Sequence, residues 1–291
     1  MGKTSMNCYN CDHDKEIIYK TINGIKLRML IFNPQECDDN KTLSSVLLIH
    51  GGGWTCGSPD SPLYKQIARS FNAIGLCTFS IQYRLAMNNS LTVDDCVKDA
   101  RSAMRFLKAN ASELGVDINK VVVCGGSAGA HLALSTIMFS TINSDDDLSI
   151  STTPAAAILF SPVIDTSAEG YGNTMLGDRW REFSPLENIQ PQMPPVIIFH
   201  AEDDVITPYS GVVKFREAMN KRGNQCELYS YPEGGHGFIK DNHDAYSDVM
   251  LNIERFLGLW NLKSAGINNK AIAPRLFARI PSAVELPHGV H

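Results

Sequence analysis

Ser127 lies in Cys124-Gly125-Gly126-Ser127-Ala128-Gly129-Ala130-His131, directly after the β-branched run Val121-Val122-Val123. A Gly-x-Ser-x-Gly turn from strand to helix brings the backbone too close to its neighbours for a Cβ at either glycine and pushes the central serine outward. On its own the pentapeptide is also compatible with an ordinary glycine-rich turn; the strand before it and the apolar helix pattern Ala130, Leu132, Ala133, Leu134, Ile137 after it favour the exposed serine. A serine hydroxyl is a poor nucleophile at neutral pH. It needs a base, and the base needs an acid to hold its tautomer.

Both partners follow downstream in the order Ser, Asp, His. Ala201-Glu202-Asp203-Asp204-Val205-Ile206-Thr207-Pro208 supplies the acid and Glu233-Gly234-Gly235-His236-Gly237-Phe238 the base. Of the eight histidines, His236 alone is framed by glycines; His131 falls on the helix after the elbow, His200 ends a strand, and His243 is the rival base. Asp204 is preferred to Asp203 for its spacing before Pro208; Asp203 reads as a solvated loop carboxylate or as one that stabilises the turn, and the choice between the two acids is left open. Upstream, His50-Gly51-Gly52-Gly53-Trp54 offers backbone N–H groups unobstructed by side chains. Gly52 and Gly53, with the N–H of Ala128, are the expected oxyanion donors. A phosphate site is disfavoured because no Lys-Ser/Thr follows the glycines. Trp54, Tyr83, Trp180 and Phe238 are the expected substrate-pocket aromatics, with core packing as the commoner fate of such rings.

These residues must be gathered by a scaffold. Residues 16–22 and 25–32 read as strands joined by a hairpin at Asn23-Gly24. Strands are expected at 45–49, 76–81, 121–124, 155–160, 196–200 and 226–231, interleaved with helices at 63–74, 92–110, 128–139, 210–221 and 245–258. That alternation specifies an α/β fold, a mostly parallel eight-stranded sheet with helices on both faces. Asp204, His236 and Ser127 then fall past the C-terminal strand ends, the edge where open α/β sheets bind ligands. The Pro- and Gly-rich stretch 162–195 reads as a small lid insert in a single domain over 1–260, with 261–291 as a tail of uncertain order.

The 291-residue chain, 44% hydrophobic, is long enough for one large core. A net charge of −5 without a dense Lys/Arg cluster leaves no electrostatic footprint for nucleic acid or an anionic membrane surface. No apolar run is long enough to span a membrane, and residues 1–20 carry charges in place of an apolar signal core. Cytoplasmic residence is the default expectation, and secretion or a periplasmic location if a leader has been removed. The 8 cysteines are scattered, which suits free thiols in a reducing compartment. Cys8-x-x-Cys11 with His13 is at most half a zinc site, so neither metal nor organic cofactor is expected. The expected partner is a small-molecule or oligosaccharide ester, and the oligomeric state is left open.

Together His50-Gly51-Gly52-Gly53-Trp54, Gly125-Gly126-Ser127-Ala128-Gly129, Asp204 and Gly235-His236-Gly237-Phe238 resemble the α/β-hydrolase carboxylesterases over residues 16–258. Within them the chain is similar to the acetyl esterase and acetylxylan or feruloyl esterase-like group related to the hormone-sensitive lipase family. That group usually reads Gly-Asp-Ser-Ala-Gly-Gly, where this chain has Gly126 and Ala130, and Val205-Ile206 replaces its Pro-Leu. With 49 residues before His50, little length is left for a helical cap, so a small or absent cap is expected. The resemblance implies hydrolysis of short-acyl, acetyl-type esters, with acetylated sugars or acetylxylan fragments as substrates. An arylformamidase is the rival enzyme, because kynurenine formamidases resemble the chain in His-Gly-Gly-x-Trp and Ser-Ala-Gly-Ala-His. A non-catalytic binding protein on the same scaffold is the rival of another class.

Overall fold

The computed structural model describes residues 13–35, 42–86, 91–240 and 242–263. Cys8, Cys11 and the tail from 264 onward lie outside the described residues.

The chain opens with β1 (Lys15–Ile22) and β2 (Ile25–Phe32), antiparallel across Asn23 and Gly24, whose φ values of 49° and 79° are those of a tight hairpin turn. Then come β3 (Leu43–Ile49), α1 (Pro62–Ala73), β4 (Cys77–Ile81), α2 (Val93–Ala109), β5 (Val116–Gly126) and α3 (Ala128–Ser135). After β6 (Ala156–Phe160), two four-residue helices, α4 (Asn173–Leu176) and α5 (Trp180–Phe183), lead to β7 (Val196–Ala201), α6 (Tyr209–Lys221), β8 (Cys226–Tyr231) and α7 (His243–Leu259). The eight strands form one sheet in the order β1-β2-β4-β3-β5-β6-β7-β8. β4, β3, β5, β6, β7 and β8 run parallel, and β2 is antiparallel to β4.

Strand pleating divides the core in two. Leu47, Ile49, Phe79, Val121, Val123 and Ile198 pack on one face against α2, α3 and α6. Their alternates Val46, Leu48, Val122, Cys124, Ile197 and Phe199 pack on the other against α1 and α7. Both faces are therefore dry, which is why the central strands are almost continuously apolar.

Two elements depart from expectation. β5 starts at Val116 instead of 121, because the register irregularity between Leu43 and Ser45 lets its first residues pair past a polar stretch. α3 ends at Ser135, and turn-like bonds from Thr136 and Ile137 to Ala133 and Leu134 replace its last predicted turn. The 162–195 insert is docked on the body. Phe183 is buried, Thr166 Oγ1 donates to the Trp180 carbonyl at 2.6 Å, and His131 Nε2 donates to the Phe183 carbonyl at 2.7 Å. Among the described residues no helix is long and apolar enough to cross a membrane, and no group of three or more His, Cys, Asp or Glu is placed to hold a metal.

Candidate active site

The chain leaves β3 toward β4 on one side and returns through β5 on the other, so the loops after β3 and β5 diverge from a shared seam. Such a switch point opens a crevice at the strand ends. Ile49 pairs with Gly125 there, and a Cβ on Gly51 would stand 2.8 Å from the Gly126 carbonyl oxygen. The two glycine motifs are thus pressed together.

At the elbow, Ser127 has φ 55° and ψ −123°, a conformation costly for any side chain and held only by close surroundings. Those surroundings are backbone. A Cβ on Gly125 would lie 2.3 Å from the Gly129 oxygen, and one on Gly129 would lie 2.2 Å from the Ile49 oxygen. Ser127 N–H donates to the Phe160 carbonyl at 2.8 Å, tying the elbow to β6. Its Oγ lies 2.8 Å from His236 Nε2.

His236 Nδ1 lies 2.8 Å from Asp204 Oδ2. Asp204 Oδ1 accepts the N–H groups of Ile206 and Thr207 at 2.8 and 3.0 Å, and Oδ2 accepts the Thr207 hydroxyl at 2.8 Å. Burial by itself raises this carboxyl's pKa, but the hydrogen bonds from His236 and Thr207 outweigh it and hold Asp204 at about 2. Asp203 turns away and accepts the N–H groups of Gly234 and Gly235 at 3.2 and 2.8 Å, bracing the loop that carries His236. His243 opens α7 with its side chain in solvent. Burial lowers the pKa of both His50 and His131 to about 4, against smaller upward pulls from the Gly51 and Phe183 carbonyls.

Gly52 and Gly53 adopt φ values of 117° and 57°, reached cheaply only by glycine. The Gly52 carbonyl accepts the N–H groups of Thr55 and Cys56 at 3.0 Å each, and Tyr64 Oη accepts the Gly51 N–H at 2.6 Å. Among the described residues no protein acceptor takes the N–H of Gly52 or Gly53. Ala128 is the first residue of α3, where an N–H has no partner within the helix.

Ser127, His236 and Gly51 to Gly53 open into a cavity of about 490 Å³ whose other walls are Leu63, Tyr64 and Ile67 of α1 with Phe160, Tyr171, Ile206, Phe238 and Ile239. Of the four aromatics expected to line it, only Phe238 does. Trp54, with φ 63°, folds its indole beneath the glycine loop, buried against His131 and Tyr171 at ring distances of 5.0 and 5.6 Å. Tyr83 is buried under the same loop, stacked on His50 at 4.3 Å and donating to the His50 carbonyl at 3.0 Å. Trp180 borders a separate concavity with Ser167, Asn173 and Asp178. Both buried rings support the loop from below. The lining residues that sequence reasoning missed come from distant segments. Leu63 and Ile67 share one face of α1, but that spacing is equally the signature of core packing.

The BD-FAE family model matches residues 29–219. The chain belongs to the BD-FAE family of α/β-hydrolase esterases. It is 28% identical over 255 residues to the acetylxylan esterase of Xylanibacter ruminicola, covering 82% of this chain and 48% of that protein. It is 28% identical over 223 residues to endo-1,4-beta-xylanase B of Butyrivibrio fibrisolvens, covering 72% of this chain and 35% of that protein. The BD-FAE chain thus spans less than half the length of these two relatives. Esterase 2 of Thermogutta terrifontis superposes with a TM-score of 0.80 at 34% identity, over 87% of this chain and 96% of its own. That esterase has been solved with propionate and with butyrate bound.

Proposed function

We propose that the protein is a serine carboxylesterase for short-acyl esters, acting through Ser127, His236 and Asp204. The observation that carries this reading is the unbroken chain from Ser127 Oγ to His236 Nε2 and from His236 Nδ1 to Asp204 Oδ2, each link 2.8 Å, at the floor of a cavity. Ser127 Oγ attacks the ester carbonyl carbon as its proton passes to His236 Nε2. The oxyanion that forms is met by the N–H groups of Gly52, Gly53 and Ala128, each such donor contributing roughly 3 kcal/mol to the barrier reduction. His236 then protonates the departing alkoxide, giving the alcohol and an acyl-Ser127. Water, deprotonated by His236, attacks the acyl-enzyme, and the serine regains its proton as the acid leaves. Asp204 keeps the Nδ1 proton in place and stabilises the imidazolium between these transfers.

The short-acyl preference is supported by the small insert, which among the described residues contributes Tyr171 to the cavity wall, and by the propionate and butyrate complexes of the Thermogutta esterase. The likeness to an acetylxylan esterase makes acetylated xylo-oligosaccharide the first natural substrate to test. A panel of p-nitrophenyl acetate, butyrate and decanoate, run beside acetylated xylo-oligosaccharide and N-formylkynurenine, checks both halves of the reading. Acetate or butyrate should be fastest; faster turnover of decanoate removes the short-acyl claim, and faster turnover of N-formylkynurenine points to a formamidase. Ser127→Ala should lower kcat by roughly 10⁴-fold or more and abolish fluorophosphonate labelling. Labelling that persists overturns the assignment of the nucleophile.

A further inference from the structure

Asp204 Oδ2 receives two donors, His236 Nδ1 and the Thr207 hydroxyl, both at 2.8 Å. Thr207 Oγ1 also stands 3.2 Å from His236 Nδ1 and 3.3 Å from the Ser161 carbonyl oxygen. A methyl-bearing hydroxyl at 4% exposure, wedged between acid and base, is in contact with the relay at both ends. Its backbone is equally constrained. Thr207 N–H donates to Asp204 Oδ1 at 3.0 Å, its carbonyl accepts His200 Nε2 at 2.7 Å, and Pro208 follows.

We propose that Thr207 is a positioning residue for this triad, its hydroxyl holding Asp204 Oδ2 against His236 Nδ1 and drawing off part of the carboxylate charge that His236 would otherwise feel. The proposal rests on the esterase reading for its kinetic consequence but not for its structural one. Two effects follow from removing the hydroxyl alone. The carboxylate loses one of its fixed donors, so its orientation toward Nδ1 loosens and the transition state is less well supported. The charge left on Oδ2 increases, so the imidazolium is favoured and His236 titrates at higher pH. The other ionisable groups beside the pair are His200, whose Nε2 is 3.4 Å from Asp204 Oδ2 at the end of β7, and Asp203, which faces Gly234 and Gly235. Tyr209, at the start of α6, lies against the His200 ring at 5.9 Å. Thr207→Val removes none of these groups and leaves the backbone carbonyl that His200 bonds in place.

The test compares Thr207→Val, which keeps the shape and removes the hydroxyl, with Thr207→Ser, which keeps the hydroxyl. For p-nitrophenyl acetate, Thr207→Val should lower kcat roughly tenfold, the scale of one lost hydrogen bond to a charged group, with KM little changed. The acidic limb of its kcat/KM profile should move to higher pH, and Thr207→Ser should restore most of the rate and the profile. An NMR titration of the His236 imidazole in the three proteins reads the same shift without turnover. No displacement of that titration in Thr207→Val, or an equal loss in Thr207→Ser, overturns the positioning role. A wild-type protein that hydrolyses no ester while the titration still moves sinks the esterase reading and leaves the coupling of Thr207 to His236 standing.

Discussion

The sheet edge that carries Ser127 and the insert above it are held by different kinds of contact. At the edge, backbone packs on backbone: Gly125 on Gly129, Gly129 on Ile49, and Gly51 on Gly126. The insert is fastened by side chains, with Arg179 bridging Asp94 in two bonds of 2.8 and 3.0 Å, Phe183 seated in the core and Tyr171 laid against Trp54. Backbone contacts leave no room for a side chain to adjust, whereas a side-chain clasp can be rebuilt with other residues. The backbone around Ser127 is thereby rigid, and the attachment of the insert is replaceable.

The sharpest way to break this contrast is Gly129→Ala. Its Cβ would meet the Ile49 oxygen at 2.2 Å, so either β3 or the elbow must move. Loss of turnover is expected, together with a stability loss of about 3 kcal/mol or more in urea unfolding. An active variant of normal stability would show the edge to be as pliant as the insert.

Acid should act on both regions through buried histidines, His50 beneath the edge and His131 beneath the insert. Each has a folded pKa of about 4, below the ordinary value of 6.5. The unfolded chain therefore binds more protons between these values, and the stability from keeping the rings neutral is full above 6.5 and is lost as pH falls toward 4. Asp204, at about 2 against 3.8, adds a further loss from about pH 4 down to pH 2. Unfolding free energies from urea titrations at pH 7 down to pH 3 should fall throughout, by a few kcal/mol in total. A flat profile down to pH 5 would contradict the burial of both rings.

The smallest effect is expected at the clasp itself. Arg179 and Glu182 are exposed and Asp94 is partly buried, so Arg179→Ala should cost no more than about 1 kcal/mol in thermal or urea unfolding. Its signature should be kinetic, a raised KM for bulky esters with p-nitrophenyl acetate turnover unchanged. A large stability loss would mean that the insert is part of the rigid core.

Much of this arrangement was legible from residue order. The expected strands and helices are present, the Asn23-Gly24 hairpin closes the antiparallel edge, and Ser127, Asp204 and His236 meet at bonding distance. Aromatic side chains were less legible. Trp54 follows the glycine loop and reads as a lining residue, yet its left-handed backbone swings the indole underneath. Tyr171 reads as one aromatic among several in an irregular insert, and its place beside Gly53 depends on how that insert docks.

By itself the sequence determined the local backbone settings around Ser127 and His236 of this BD-FAE chain. An elbow, a glycine loop and glycines around a histidine are local backbone requirements, and local requirements are written in contiguous residues. Tertiary structure alone decided the shape of the cavity, the sharing of Asp204 Oδ2 between His236 and Thr207, and the turn of Asp203 toward Gly234 and Gly235. Those depend on which way side chains from separate segments point once the β3–β5 seam has brought their loops together, and no single segment carries that direction.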